Sequence, residues 1–320
     1  MATDPHEKHR AGGNKPKMRK DRQMSSSPET WQLGDQHVQV THLEKRYWPT
    51  TEFTKGDMLR YYVQIAPVAL PYFAGRPVTL RVYPQGVTGA SYYLRDCPED
   101  APHWLKRVSY LPKTVAHPVP LPLIDSAGLL WFANEGAIEF HLWGSHIPDL
   151  AQPDQAIFDL DPGANASFSD VREAALRLRD ALEQAGVRSY PKTSGGHGLH
   201  VYVPRAAGPT FERVRAWVTA VGQQLAASSP ELISAASGAT HRGGRVTIDY
   251  AQNSVGRNTA APYTLRANPA HPTVSTPLTW EELEEGTLHP ADLTPQVVLE
   301  RVKRLGDLFS PVLQANQQID

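Results

Sequence analysis

Ile157-Phe158-Asp159-Leu160-Asp161-Pro162-Gly163 reads as a buried strand that ends in two carboxylates. Strand side chains alternate, so Asp159 and Asp161 share one face while Phe158 and Leu160 share the other. Pro162-Gly163 closes the strand and leaves the acids at its open end. Two like charges this close are hard to keep ionised without a cation between them, so the stretch predicts a divalent-metal site.

Two later strands supply matching polar faces. Across residues 198–204, Leu199, Val201 and Val203 point to a core while His200 and Tyr202 face away. Across residues 245–251, Val246, Ile248 and Tyr250 pack on one side, with Thr247 and Asp249 on the other. Three carboxylates near one imidazole suit Mg²⁺ or, with the nitrogen, Mn²⁺, and two such ions could activate a hydroxyl and stabilise a leaving pyrophosphate. Between the acids lies Thr193-Ser194-Gly195-Gly196-His197-Gly198, whose glycines let backbone amides approach an anion closely. It lacks the Gly-Lys-Ser/Thr ending of a Walker A loop. Downstream, Gln252, Asn253, Arg257 and Arg266 offer amides and guanidiniums suited to phosphates.

The rest of the chain interleaves strands with helices. Residues 37–41 alternate as a strand, and Leu43-Glu44-Lys45-Arg46-Tyr47-Trp48-Pro49 forms a basic-aromatic loop. Thr54 and Asp57 make a capping box that places Lys55 at the first helical position, where an anion could be held. Residues 78–84 form a strand with Arg81 opposite Val78, Leu80 and Val82, and Tyr92-Tyr93 follow in a short segment. Asp125 caps a helix to about Glu135, and in the strand of residues 138–143 His141 lies opposite Ile138, Phe140 and Leu142. Helices follow Ser167 and the strand of residues 198–204; a long polar segment follows Asp249, and Pro295 opens a final helix running to Phe309. This pattern predicts an α+β (mixed α/β) fold of two packed lobes, with central sheets flanked by helices.

Composition narrows the class. The single cysteine, Cys97, excludes a disulfide framework and a Cys-based zinc finger. No apolar run approaches a membrane span, and the start is polar and basic, so no membrane is expected and a cytoplasmic, nucleoid-associated location is. The net charge of −1 hides an asymmetry: residues 1–24 hold seven Lys/Arg against three acids, while the remainder is net acidic. Any nucleic-acid contact by the body must therefore be local. The expected organisation is a disordered basic tail over residues 1–30 and a catalytic domain over 31–310. That domain divides into an N-terminal lobe, 31–125, and a catalytic lobe, 126–310, followed by a C-terminal tail, 311–320.

Phe-Asp-Leu-Asp-Pro-Gly, Thr-Ser-Gly-Gly-x-Gly-Leu-His-Val-Tyr, and Val-Thr-Ile-Asp-Tyr-Ala-Gln-Asn with Ala-Pro-Tyr-Thr-Leu-Arg resemble the polymerase domain of bacterial ATP-dependent DNA ligase D, of the archaeo-eukaryotic primase superfamily. The similarity runs from about Val38 to Trp280. The resemblance implies a primase-like catalytic core and a template-directed nucleotidyltransferase of non-homologous end joining, using two Mn²⁺ (or Mg²⁺) ions and NTPs or dNTPs, with ribonucleotides preferred. By position, Asp159, Asp161 and Asp249 would be the catalytic metal ligands. Ser194, His197, Gly198, His200, Gln252, Arg257, Arg266 and Arg81 would surround the nucleotide, with His141 at its sugar or base. Lys45 and Lys55 would hold a DNA 5′-phosphate at a gap or end, and Tyr92 and Tyr93 would stack on template bases. An end-bridging Ku protein and a DNA ligase are the implied partners.

The sequence departs from the family at His197, where Lys or Arg is usual, so a permanent cation becomes titratable. It shows no ligase nucleotidyl-lysine motif and no nuclease module, which predicts a stand-alone polymerase unit or an excised domain. Two alternatives stay open on the residues. A haloacid-dehalogenase-type phosphohydrolase would use Asp159 as nucleophile, although the usual following Thr or Val is missing. A non-catalytic DNA-end-binding module would use the acids structurally.

Overall fold

The computed structural model describes residues 27–112, 115–206, 208–234, 243–314 and 317–318. The first part of the chain forms β1 (Glu29–Leu33), β2 (Gln36–Val40), α1 (Lys55–Phe73), β3 (Val78–Val82), β4 (Tyr92–Leu94), β5 (Arg107–Tyr110), β6 (Val119–Pro122) and α2 (Ser126–Asn134). The middle gives β7 (Ala137–Trp143), β8 (Ser145–His146), β9 (Asp149–Pro153), β10 (Gln155–Pro162), α3 (Phe168–Gln184), β11 (Tyr190–Thr193), β12 (Leu199–Pro204) and α4 (Phe211–Ser228). The last part gives β13 (Ile233–Ser234), β14 (Val246–Asp249), β15 (Asn258–Ala260), β16 (Leu265–Arg266), β17 (Thr273–Val274), α5 (Trp280–Glu285) and α6 (Pro295–Leu305).

Two sheets carry the architecture. One runs β11-β12-β10-β14-β13, with β10 antiparallel to both neighbours. The other runs β15-β7-β3-β4 and draws its strands from both sides of residue 125. Each sheet is covered by helices on one face. The apolar stripe of α3 (Val171, Ala174, Ala175, Leu178) and the α4 residue Trp217 pack behind β10, where Phe158 meets Trp217 edge-to-face at 5.4 Å. Behind the second sheet, Phe140 of β7 takes Tyr62 and Phe73 of α1 at 5.1 and 6.1 Å. The faces turned away from the helices are polar, and they line the cleft described below.

The helix starts follow their caps. Thr54, Ser167 and Thr279 each accept from the amide three residues on, and the acid there returns to the cap's own amide; Asp125 caps α2 from one side. Each such cap satisfies amides that the helix leaves unpaired, worth about 1 kcal/mol. Sequence and structure part in several places. Residues 1–26 lie outside the described chain, and Glu29 and Thr30, assigned to the tail, pair with β2 instead. The polar segment after Asp249 holds three short strands, β15 to β17. The last helix stops at Leu305, where Gly306 takes a positive φ of 72° that breaks the helical path, after which Asp307 accepts from Tyr72 and Tyr263. Beyond it, Gln317 hydrogen-bonds Arg188 and Pro204, so this part of the C-terminal segment packs against the domain.

Asn253, read from sequence as a phosphate-facing amide, is structural. Its side chain accepts from the Ile157 amide at 2.9 Å and donates to the Ile157 carbonyl at 2.7 Å, completing β10 where β14 has ended. Asn253→Ala leaves both buried groups unpaired and should cost about 2–4 kcal/mol in urea unfolding, with the midpoint falling and the slope unchanged.

Among the described residues, no helix is long and apolar enough to cross a membrane.

Candidate active site

A row of polar side chains crosses the five-stranded sheet on its helix-free face. Lys192 of β11 pairs with His200 of β12, His200 with Asp159 of β10, and Asp159 with Asp249 of β14. Cross-strand partners point the same way, so all four share one face. One step along, Asp161 pairs with Thr247, whose hydroxyl is buried without a hydrogen-bond partner. His200 Nε2 lies 3.3 Å from Asp159 Oδ1, and Gln252 donates to the other oxygen at 3.2 Å. Burial holds His200 well below the ordinary imidazole range, so the ring is neutral. Burial likewise pushes Lys192 down; its amine donates to Ser275 Oγ at 2.5 Å and lies over the Tyr202 ring.

The glycine loop folds onto this row. Ser194 Oγ accepts from the amides of Gly196 and Gly198 at 3.2 Å each, so these two donors are spent within the loop, while the hydroxyl hydrogen of Ser194 stays available to an anion. Gly195 adopts φ 77°, and a Cβ there would stand 2.4 Å from Arg266 Cγ and 2.9 Å from the Ser275 amide. Arg266 reaches across, donating to the Ser194 carbonyl at 2.7 Å while its Nε lies 3.4 Å from Glu139.

The opposite wall comes from the second sheet. There Tyr93, Arg81 and Glu139 form one cross-strand row, and Thr79, His141 and Ala260 the next. The two walls enclose a cleft of about 650 Å³ whose lining includes Asp159, Asp161, Ser194, His200, Gln252 and Arg266 on one side and Tyr93, Arg95 and His141 on the other, with Arg257 just ahead of β15. A polar cleft of this size, open to solvent, suits a charged ligand of nucleotide dimensions.

The other residues singled out from sequence sit differently. Asp249 is in register with Asp159 but does not line the cleft, and its carboxylate accepts from the Ala251 amide at 2.8 Å. His197 is exposed and stands outside the lining, and Gly198 lies under it, against the Leu160 carbonyl. Arg81 stands in the wall beside Tyr93 but outside the cleft lining, near Glu139 and over the rings of Tyr83 and Tyr93. Tyr93 faces the cleft, whereas Tyr92 pairs with Val82 and points to the other face. Lys45 and Lys55 lie apart from the cleft lining and close to each other, because the Lys55 amide donates to the Lys45 carbonyl at 2.8 Å. Among the described residues, no three His, Cys, Asp or Glu side chains form a ready-made cation cage. The acids nevertheless fit a hard cation: two carboxylates on one strand face, beside open volume that substrate oxygens and water can fill.

Sequence reasoning missed Glu139, Lys192 and Arg95. The first two carried a signal. Glu139 precedes His141 by two residues, and Lys192 precedes Ser194 by two, so strand alternation aligns each with a residue already singled out.

Comparison with known proteins agrees with this arrangement. The family described as LigD, primase-polymerase domain, matches residues 54–309. The multifunctional non-homologous end joining protein LigD of Mycolicibacterium smegmatis is 34% identical over 279 residues, covering 87% of this chain and 36% of that protein. The bifunctional LigD of Bacillus subtilis is 30% identical over 273 residues, covering 85% of this chain and 43% of its own length. The chain thus spans less than half the length of these curated relatives. Among solved structures, the polymerase domain from Mycobacterium tuberculosis ligase D in complex with DNA superposes with a TM-score of 0.82 at 32% identity, covering 88% of this chain and all of that one. These matches favour neither the phosphohydrolase nor the non-catalytic alternative. With its two sheets, its acid row and its glycine loop, the chain belongs to the LigD primase-polymerase domain family.

Proposed function

We propose that the chain is a template-directed nucleotidyltransferase that extends 3′ ends at gaps and breaks in DNA carrying a 5′-phosphate, within non-homologous end joining. It takes NTPs or dNTPs, ribonucleotides by preference, and works with a Ku protein and a ligase. The observation that carries this reading is the cleft itself. One wall offers strand-borne carboxylates, and the other offers an imidazole and an exposed tyrosine ring.

Asp159 and Asp161, with Asp249 in register, are the residues that would hold two Mn²⁺ or Mg²⁺ ions. When bound, such ions lower the pKa of a primer hydroxyl and neutralise charge on departing pyrophosphate. Gln252 keeps one oxygen of Asp159 engaged and so fixes the carboxylate plane. Arg266, Ser194 and His200 receive the triphosphate from the glycine-loop side, and Arg257 stands at the rim. His141 contacts the sugar or base, and Tyr93 stacks on a template base, a contact every base can make. Tyr92 plays the same part only if the edge strand β4 twists to present it. Primer extension on gapped DNA tests the reading: templated addition is expected, and no addition under any divalent ion contradicts it.

Lys45 and Lys55 take the 5′-phosphate. Lys55 is 3% exposed at the first position of α1, and burial lowers its amine to about 8, with Glu135 opposing and Lys45 adding to the shift. The folded chain therefore gives up this proton more readily than the unfolded chain, and the amine stays charged below about 8. The penalty for its charge grows as pH falls from the ordinary 10.5 to about 8. An anion beside it offsets that penalty. Lys45→Met with Lys55→Met should weaken binding to a phosphorylated recessed end by roughly tenfold, and to an unphosphorylated one far less. In wild type the phosphate-dependent part of the affinity should drop as pH rises through about 8, and this drop should vanish in Lys55→Met. Equal loss on both ends would reduce the lysines to general attraction.

A further inference from the structure

Glu139 is 2% exposed, in the middle of β7, and five groups of the cleft wall and its support converge on it. One carboxylate oxygen accepts from the Ala267 amide at 3.1 Å and from Tyr83 Oη at 3.4 Å, with Arg81 at 3.8 Å. The other faces His141 Nε2 at 3.1 Å and Arg266 Nε at 3.4 Å. The row continues outward, since the Arg81 guanidinium covers Tyr93 at 5.6 Å, and the Tyr93 ring meets His141 edge-on at 6.2 Å. A buried carboxylate without partners would be expelled or protonated; one with two guanidiniums and an amide around it is retained for what it holds.

We propose that Glu139 is the positioning residue of the nucleotide-facing wall: it fixes His141 with hydrogen on Nε2 and Nδ1 as an acceptor, and it sets the angle of Arg266 and of the Arg81–Tyr93 pair. The proposal rests on the nucleotidyltransferase reading above. An ionised carboxylate can only accept, so the ring nitrogen facing it must carry the hydrogen. Burial would raise the Glu139 carboxyl, but the His141 hydrogen bond and Arg266 outweigh it and hold it at about 2, so it is ionised at neutral pH. Burial also keeps His141 below the usual imidazole range despite the Glu139 bond, so the ring is neutral and Nδ1 holds a lone pair. Such an acceptor takes a hydrogen from a hydroxyl or amino group of the incoming nucleotide, while Arg266, tied to Glu139 and to the Ser194 carbonyl, presents the rest of its fork to the phosphates.

Glu139→Gln keeps the shape and removes the charge. Its amide can donate to His141 Nε2, which moves the ring hydrogen to Nδ1 and turns the acceptor into a donor. The test pairs ¹⁵N-edited NMR of the His141 ring with steady-state extension of gapped DNA by wild type and E139Q. The expected wild-type ring is the neutral Nε2–H tautomer. E139Q should raise the nucleotide KM by roughly tenfold or more, with affinity for the DNA end changed by less than about twofold. A general loss of packing would instead lower the melting temperature and weaken nucleotide and DNA alike. A wild-type ring protonated on Nδ1, or an E139Q nucleotide KM within about twofold of wild type, overturns the proposal. The tautomer is read without substrate and in wild type, so it decides even if the variant does not fold. A wild-type chain that adds no nucleotide sinks the nucleotidyltransferase reading separately.

Discussion

Asp159→Ala or Asp161→Ala is expected to abolish primer extension while leaving DNA binding at or slightly above the wild-type level. The two carboxylates lie on the helix-free face at the end of a central strand, flanked by His200 on β12 and by Asp249 and Thr247 on β14. Their proposed work is to hold cations against transferring phosphoryl oxygens, an effect worth several kcal/mol, or roughly 10³-fold in rate. Removing either acid takes negative charge away from a cleft that must admit a polyanion, so affinity for DNA should not fall. Extension near the wild-type rate in either variant would mean the acids are structural. Asp249→Ala should be tested beside them, because its carboxylate is engaged by the Ala251 amide and stands outside the cleft lining.

Gly198→Ala is expected to cripple the enzyme from beneath the site. A Cβ at this position would lie 2.4 Å from the Leu160 carbonyl oxygen and 3.4 Å from Asp161 Oδ1. The first contact is with backbone in a central strand, so no side chain can yield; β10 and β12 must part, or the glycine loop must lift. Overpacking of this kind costs about 1–3 kcal/mol, which urea unfolding can measure. The functional loss should be larger. A displacement of about 1 Å at reacting groups can cost 10²-fold, and here the displaced groups include Asp161 and the loop anchored by Ser194. Full activity with unchanged stability would show that the close approach of loop and strand is not needed.

Much of the fold was legible because its signals are local. The capping box at Thr54 and the polar start at Ser167 marked where α1 and α3 begin. Strand alternation put Asp159, Asp161, His200, Thr247 and Asp249 on polar faces before any pairing was known. What alternation cannot supply is which strand lies beside which. The placement of β10 between β12 and β14, which turns separate acids into one row, depends on long-range pairing. The strands from Asn258 onward run two or three residues each, too short for any period to show. Glu139 shares its face of β7 with His141, so alternation could have found it, but only the structure reveals how many donors surround that carboxylate. Asn253 misled for the opposite reason, since an amide in a polar run looks like a ligand contact when it is finishing a strand.

The most direct test of the central claim is single-nucleotide addition to gapped, 5′-phosphorylated DNA by chelator-treated protein, with Mn²⁺ or Mg²⁺ restored and NTPs compared with dNTPs. The account predicts no addition without a divalent ion, templated addition once it is returned, fastest with Mn²⁺ and ribonucleotides, and none in Asp159→Ala. Templated addition by Asp159→Ala, or a radiolabelled phosphoryl group trapped covalently on Asp159 of the wild-type chain, would contradict it.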